Sequence, residues 1–202
     1  MDNAKIETLG LFPLSLVILP NEQTRLHIFE ARYKQLINDC FANNKDFGIP
    51  AMIDGKPMPF GTRVKLIDIE RFYPDGKMDI RIEGVSVFKL KSIDNNIQNK
   101  MYAGGEIETL PLNDKFQKRQ DLMELFYEFC LRTGSPELTD KINTELSIYE
   151  IAKQLVLTNE EKYQLMETTN TLTQQKMLTN HLKLVLALYR QEDDLNNRFF
   201  LN

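Results

Sequence analysis

The chain has 202 residues, a length that suits one large domain or two small ones. Hydrophobic residues make up 42% of the sequence, enough for a buried core, and no stretch approaches the ~18 consecutive apolar residues that a membrane-spanning helix needs. The formal net charge is −4 and no run of four or more Lys or Arg occurs, so the basic footprint of a nucleic-acid-binding protein is missing.

The first predicted helix follows an apolar N-terminal run. Between Glu30 and Asn43, apolar side chains recur at the spacing of an amphipathic helix and form one stripe: Tyr33, Leu36, Ile37, Cys40 and Phe41. The segment from Ala51 to Phe60 then contains one glycine and two prolines. Because these residues interrupt regular structure, we interpret that segment as an irregular loop.

Short strands are predicted from this loop to residue 110. The apolar phase changes from Val64 and Leu66 to Ile67 and Ile69, which predicts a β-bulge. Asp75-Gly76 is a hairpin turn signal. Strand signals follow in three places: Met78, Ile80 and Ile82; Phe88 and Leu90; Ile107 and Thr109. Five to seven short strands with one helix predict a closed or partly closed barrel, since closure removes exposed sheet edges.

The second part of the chain has a helical composition. All nine glycines lie at or before Gly134, and the last proline is Pro136. Both residue types break helices, so their loss indicates a change of structure. Helical periodicity already begins after Asn113, and we therefore place the boundary near Pro111. The sequence predicts a β-rich part at residues 1–111 and a part with four or five helices at residues 112–202.

Capping signals mark the ends of these helices. Gly134 is a predicted C-cap, and Ser135-Pro136 suits the start of the next turn. Capping boxes are predicted at three places: Ser147-x-x-Glu150, Thr158-x-x-Glu161 and Thr171-x-x-Gln174. The last helix places five apolar side chains on one face: Leu178, Leu182, Val185, Leu186 and Tyr189.

The opening of the chain contains three apolar motifs: Leu11-Phe12-Pro13-Leu14, Leu19-Pro20 and Leu26-x-Ile28-Phe29-Glu30-x-Arg32-Tyr33. Together they resemble the opening of the Lon protease N-terminal domain family. Further along, Phe47-Gly48-Ile49, Gly61-Thr62 and Glu83-Gly84 are similar to strands of that family, and Glu161-Lys162 lies in a similar leucine-rich helix. The resemblance implies an α+β fold: a PUA-like β-barrel subdomain with one helix, followed by an all-α subdomain. It also implies substrate binding rather than catalysis.

The sequence lacks the motifs of the catalytic modules that follow this domain in full Lon proteases. No G-x-x-x-x-G-K-[ST] loop and no G-x-S-x-G motif is present, and the chain ends at Asn202, so we expect no enzyme. His27 and His181 have no partners at metal-ligand spacing, and we expect neither a metal nor a cofactor. We interpret Arg32 as a structural ion-pair partner, for instance of Glu30.

Cysteine usage and the N-terminus bear on the compartment. Cys40 and Cys130 lie among apolar residues, which predicts two buried and reduced thiols. The N-terminal apolar run is broken by Pro13 and is followed by no small-x-small cleavage site, so we interpret it as mature structure. We therefore expect a soluble, cytoplasmic protein.

Met52, Met58 and Phe60 are the candidate protein-binding residues. Their side chains are too apolar for a loop that only connects two elements, and methionine adapts to varied partners. The alternative interpretation is that these side chains fold back as a lid on the β core. A second candidate surface is Phe199-Phe200-Leu201, which alternatively packs against the chain's own helices or is disordered.

Three functional hypotheses follow. The first is a non-catalytic protein that binds peptides or unfolded clients by apolar contact and strand addition at an open barrel edge, including an adaptor role in protein quality control or proteolysis. The alternative is an RNA-binding PUA-like protein that uses Lys89, Lys91 and Lys100, which the charge balance opposes. The third is a small-molecule enzyme, for which no nucleophile–base or metal constellation is visible.

Overall fold

The computed structural model describes residues 6–95, 97–111, 118–139, 141 and 146–199. These residues form six β-strands, five α-helices and one short 3-10 helix, which confirms the predicted mixed α+β class. They divide into two compact units. The β-rich unit contains the described residues up to 111 together with Leu157–Glu167, and the helical unit contains the others.

The β-rich unit is built on one antiparallel sheet. Its strands are β1 (Ile6–Gly10), β2 (Gln23–Ile28), β3 (Phe47–Ile53), β4 (Lys56–Phe72), β5 (Met78–Asp94) and β6 (Gly104–Thr109). The strand order is β1-β6-β5-β4-β3, and the chain just after β1 makes parallel bridges to β3 at Leu11–Gly48 and Leu14–Ala51. These bridges join the two ends of the sheet, as the predicted barrel requires. β2 lies off this path and pairs with β5.

The two central strands are longer than the sequence indicates. Phe88 and Leu90 continue β5 instead of forming a separate strand, so that part of the prediction is wrong. The interruption at Gly84 looked like a strand end, but a Cβ there would strike Leu19, and β5 passes this point only because glycine has none. The predicted bulge in β4 is confirmed by a register shift between Leu66 and Asp68.

The turn between β4 and β5 is the predicted hairpin. Gly76 has φ +75°, and the Tyr73 N–H donates to the Lys77 carbonyl at 2.9 Å. Beyond the turn, Met78, Ile80 and Ile82 are fully buried, which confirms the alternating pattern of β5.

The segment from Ala51 to Phe60 is a β-hairpin, so its prediction as an irregular loop is wrong. Asp54 and Gly55 both have positive φ angles, 51° and 72°, as a two-residue type I′ turn requires. Pro59 lies within the stretch of β4 where the register shifts between Pro50 and Met52, and a bulge needs fewer ladder donors. Pro57 lies opposite Met52, next to the pair Ile53 and Lys56 that closes the turn.

Helix α1 (Ala31–Asn43) covers the main core of this unit. Four residues of the predicted stripe are buried: Tyr33, Leu36, Ile37 and Cys40. They belong to one core cluster with Met78, Ile80 and Ile82 of β5. Phe41 is 68% exposed, so its assignment to the buried stripe is wrong. Each helical residue advances by about 100°, and this advance carries Phe41 past the edge of the covered face.

Helix α4 (Asn159–Glu167) also belongs to the β-rich unit. The Val17 N–H donates to Asn159 Oδ1 at 3.1 Å, and Lys162 Nζ pairs with Glu22 Oε1 at 2.5 Å. The Tyr163 ring meets the Phe60 ring edge-on. These contacts fix α4 on the barrel although the sequence assigned it to the helical part. That residues 1–111 and 112–202 are independent domains stays a prediction.

The helical unit contains α2 (Gln120–Thr133), the 3-10 helix (Pro136–Leu138), α3 (Ile148–Ala152) and α5 (Thr171–Phe199). Buried side chains of α2 and α5 form its packed faces: Leu122, Phe126, Phe129, Leu178, Leu182 and Leu186. Gly134 ends α2 with φ +71°, which confirms the predicted C-cap. Over the described residues, every helix is too short or too polar to cross a membrane.

Two of the three predicted capping boxes are confirmed. The Glu150 N–H donates to Ser147 Oγ at 3.2 Å, and the Ser147 N–H donates to Glu150 Oε2 at 2.7 Å. Thr158 and Glu161 exchange the same two bonds. The third box is wrong because α5 already begins at Thr171, where Asn170 Oδ1 accepts from the Thr173 N–H at 3.1 Å.

Candidate functional site

The β3–β4 hairpin carries the three predicted binding residues. Met52 is the last residue but one of β3 and lies opposite Pro57. Met58 and Phe60 lie near the start of β4, close to the turn. All three side chains are half-buried. The structure therefore brings them onto one hairpin, and we name Met52, Met58 and Phe60 the hairpin surface.

A close backbone approach fixes the base of this hairpin. A Cβ on Gly61 would lie 2.5 Å from the Ile49 carbonyl oxygen and 2.6 Å from Phe88 Cζ. Only glycine allows the two strands and the Phe88 ring to approach this closely. The hairpin surface thus extends from a rigid part of the barrel.

Helix α4 supports the same region from the other side. The Phe60 and Tyr163 ring centroids are 6.3 Å apart at an interplanar angle of 63°. Burial raises the pKa of the Tyr163 hydroxyl above its ordinary value, so the side chain stays neutral. Thr62 Oγ1 donates to the Ile18 carbonyl and lies 3.3 Å from Met166 Sδ. Part of the Phe60 side chain is therefore covered by α4 of the same chain.

The hairpin surface offers apolar contact and no reactive group. Asp54 and Lys56 flank it at the turn, and both are exposed. Nowhere in the described ranges do three or more His, Cys, Asp or Glu side chains gather in a way that would hold a metal ion. Chemically, this arrangement suits recognition of apolar side chains on another chain.

The outer face near the end of β2 holds a polar and aromatic cluster. His27 Nδ1 lies 2.6 Å from Asp79 Oδ1, and the Tyr73 hydroxyl donates to Asp79 Oδ2 at 2.7 Å. The bond to His27, with that from Tyr73, holds the pKa of the Asp79 carboxyl below its ordinary value. The His27 ring also lies 6.2 Å from Phe29, which is 60% exposed. His27 is thus hydrogen-bonded on the outer face of the sheet.

A polar cavity of about 560 Å³ opens beside the end of α1, and no sequence motif indicated it. On its wall, Asp39 accepts from Lys100 Nζ and from the Tyr102 hydroxyl, both at 2.8 Å. The hydrogen bond from Lys100 is the largest cause of the lowered pKa of the Asp39 carboxyl, whereas burial raises the pKa of the Tyr102 hydroxyl. Cys40 also lines the cavity, and burial raises the pKa of its thiol to about 12, which leaves it unreactive near neutral pH.

Arg63 closes another side of this cavity. Its Nη1 pairs with Glu7 Oε1 at 2.6 Å and its Nε with Asp46 Oδ2 at 2.7 Å. The charges at Asp39 and Arg63 are therefore satisfied by groups of the same unit. This pairing gives the cavity walls a structural role.

The three lysines of the RNA-binding alternative do not form a free basic patch. Lys91 pairs with Glu108, and Lys100 pairs with Asp39. Lys89 stands opposite Glu108 in the β5–β6 register. Clustered cations that are already neutralised release few counterions from a nucleic acid, so this arrangement opposes phosphate binding.

The remaining sequence candidates have structural positions. Arg32 Nη2 pairs with Glu30 Oε2 at 2.8 Å and its guanidinium lies 4.6 Å from the centre of the Tyr33 ring, which confirms the predicted ion pair. Cys40 and Cys130 are free and buried, as predicted. The candidate surface Phe199-Phe200-Leu201 lies outside the residues whose side chains the structure describes.

Comparison with known proteins identifies the family. The family described as the ATP-dependent protease La (LON) substrate-binding domain matches residues 8–184. The chain belongs to this family. The Lon N-terminal domain protein from Xanthomonas campestris is 25% identical, with a TM-score of 0.64 over 90% of this chain and 98% of that one. The N-terminal domain of the Mycobacterium avium complex Lon protease shares the fold at 14% identity, with a TM-score of 0.66 over 88% and 98%. No curated protein matches by sequence.

Membership of the Lon substrate-binding family agrees with the geometry of the β-rich unit. The match extends from β1 into α5 and confirms the resemblance of the motifs between Leu11 and Tyr33. What matches is the substrate-binding domain of Lon and not a catalytic module. Family membership implies that the chain binds protein substrates, and the hairpin surface is the candidate for that contact.

Proposed function

We propose that this Lon substrate-binding domain holds peptides and unfolded segments of client proteins at the hairpin surface without catalysing a reaction. The observation that supports it is the gathering of three half-buried apolar side chains, Met52, Met58 and Phe60, on one hairpin. Methionine repacks against differently shaped partners, which favours loose recognition of many sequences. The rigid base at Gly61 keeps the surface presented while the side chains adapt.

An adaptor role is the wider form of this proposal. A domain that binds clients through a few apolar side chains releases them readily, because each exchanged contact contributes only a small free energy. Such a domain suits transfer of clients to separate proteolytic machinery. The reduced, buried state of Cys40 and Cys130 supports a cytoplasmic location for this activity.

The test is a titration of a fluorescein-labelled protein that is kept unfolded by reduction and carboxymethylation of its cysteines. The double variant Met52→Ser, Met58→Ser removes two apolar contacts, and each contact is expected to contribute about 1 kcal/mol because only the exposed part of the side chain becomes buried. We expect the dissociation constant to rise at least tenfold, as ~1.4 kcal/mol corresponds to that factor. Phe60 is left unchanged because it packs against Tyr163.

Met101→Ser is the matched control. Met101 is 61% exposed in the same unit and lies outside the hairpin. It should leave the dissociation constant within twofold of the unchanged chain, about the scatter expected of a neutral surface substitution. Equal affinity of the double variant and the unchanged chain would remove the hairpin surface from the proposal.

A further inference from the structure

β2 presents an open sheet edge. Within the described residues it pairs with β5 and with no second strand. The Gly84 N–H donates to the Glu22 carbonyl at 2.9 Å, just before β2 begins. Because antiparallel ladders alternate, the backbone groups of Gln23, Arg25 and His27 point away from β5. Three consecutive ladder positions are therefore available to another strand.

Two guanidinium groups stand together beside this edge. Arg25 and Arg81 are directly opposite in the β2–β5 register, at a position where side chains of an antiparallel pair come closest. Like charges in that arrangement repel. Glu70 lies between them: Arg25 Nε donates to its Oε2 at 2.7 Å, and Arg81 Nε lies 3.6 Å from its Oε1. Asp68 is at 3.9 Å from Arg81.

Of the two arginines, Arg25 keeps unused donor capacity. Arg81 Nε is buried, out of reach of an incoming group, and lies 3.6 Å from Glu70 Oε1. The Arg25 side chain is 73% exposed and donates to Glu70 through Nε. Together with Gln23 and Thr24 they line an open hollow of about 490 Å³, and none of these four residues is acidic. An incoming carboxylate would therefore meet the exposed guanidinium of Arg25.

The other face of the same edge is apolar. Leu26 is half-buried and packs against the main core cluster, so part of its side chain stays uncovered. Residues of an added strand alternate between the two faces. The residue that pairs with Arg25 would place its side chain at the guanidinium groups, and the residues before and after it would lie on the face of Leu26.

We propose that β2 binds an extended segment of a client protein as an additional antiparallel strand, with an acidic residue opposite Arg25 and apolar residues on either side of it. The backbone supplies the ladder bonds, and Arg25 and Leu26 select the side chains. This inference deepens the proposed function by naming a class of client segment. It concerns a site apart from the hairpin surface and rests on that proposal only in taking the client to be a protein.

The probe is a fluorescein-labelled, end-capped peptide with the core threonine-valine-glutamate-valine-threonine, titrated against the full chain by fluorescence anisotropy. We expect saturable binding, and a peptide with glutamine in place of glutamate should bind about three- to tenfold more weakly, the range of partly exposed charged hydrogen bonds. Methylation of the backbone nitrogen of the glutamate removes the N–H that donates to the Arg25 carbonyl, and it should weaken binding at least tenfold. Methylation of a valine nitrogen, which points away from β2, should have no comparable effect.

Protein variants separate this site from others. Arg25→Gln should abolish the preference for glutamate over glutamine, whereas Lys65→Gln, a change on the same outer face in β4, should preserve it. In the double variant Met52→Ser, Met58→Ser the preference for glutamate over glutamine should persist, because it depends on Arg25 and not on the hairpin surface, so failure of the hairpin proposal and failure of this one are distinguishable.

Several results would overturn the inference. The first is a lack of saturation up to about 1 mM peptide, which corresponds to only ~4 kcal/mol of binding free energy. The second is equal affinity for the glutamate and glutamine peptides. The third is an equal loss of affinity in the two methylated peptides. Displacement of the peptide by a short oligouridylate, in a manner that depends on Arg25, would assign the hollow to nucleic-acid phosphate instead.

Discussion

Replacing Gly61 by alanine tests how the base of the hairpin is built. The new Cβ would lie 2.5 Å from the Ile49 carbonyl oxygen, 2.6 Å from Phe88 Cζ and 2.8 Å from Pro50 Cα. Carbon atoms in contact are ordinarily about 3.5–4.0 Å apart, so each approach is short by about 1 Å. Two of the three neighbours are backbone atoms of β3, which cannot retreat without losing its pairing with β4. We expect the substitution to cost about 3 kcal/mol, the upper part of the usual range for overpacking.

Gly55→Ala is the matched control on the same hairpin. Gly55 has φ +72° and no atom within 4 Å of the position of a Cβ, so this change costs only the left-handed conformation, about 1 kcal/mol. Urea unfolding should be followed by far-ultraviolet circular dichroism, since the chain has no tryptophan. With a slope of about 2 kcal/mol per molar urea, Gly61→Ala should lower the midpoint by ~1.5 M. A cost no greater than that of Gly55→Ala would refute the reasoning.

Three further predictions concern the two units. Phe126→Ala should destabilise the helical unit by about 3–5 kcal/mol, because the Phe126 side chain is fully buried, whereas the half-exposed Tyr127→Ala should change thermal melting little. Ser147→Ala should cost about 1 kcal/mol in urea unfolding through loss of the capping box. Cys40 should resist thiol reagents in the native chain and react after unfolding, because burial raises its pKa to about 12.

The Cys40 thiol also gives the sign of a pH effect. Its pKa is 9.0 ordinarily and about 12 in the folded chain, so above pH 9 the unfolded state releases the proton first. The free energy of unfolding should therefore fall as the pH rises from 9, and Cys40→Ala should reduce this slope. A slope that the substitution leaves unchanged, or rapid labelling of native Cys40, would contradict the assignment. For the other two predictions, equal melting of the Phe126 and Tyr127 variants, or unchanged stability of Ser147→Ala, would do so.

Local patterns in the sequence were enough to predict the elements whose stability is local. The stripe of α1, the alternation at Met78, Ile80 and Ile82, and the capping box at Ser147 each depend on residues within one or two turns or one strand. Phe41 shows the limit, since its exposure depends on how far the sheet extends beneath α1.

The candidate site could be predicted only in part. Met52, Met58 and Phe60 were proposed as binding residues from composition, and that role stays a prediction. Their hairpin was missed because prolines lower the expectation of a strand and a bulge depends on register. The packing of Tyr163 against Phe60 joins residues from distant parts of the sequence, and no periodicity encodes it. The open edge at β2 is a property of strand order, which becomes visible only once the sheet is assembled.

Amide hydrogen exchange on the full chain, with and without the unfolded labelled protein, tests the central claim most directly. If client segments bind at the hairpin surface and along β2, exchange should slow at Met52, Met58 and Phe60 and at the outward amides of Gln23, Arg25 and His27. Protection confined to the polar cavity around Asp39, or no protection at either surface when the client is bound, would contradict the account.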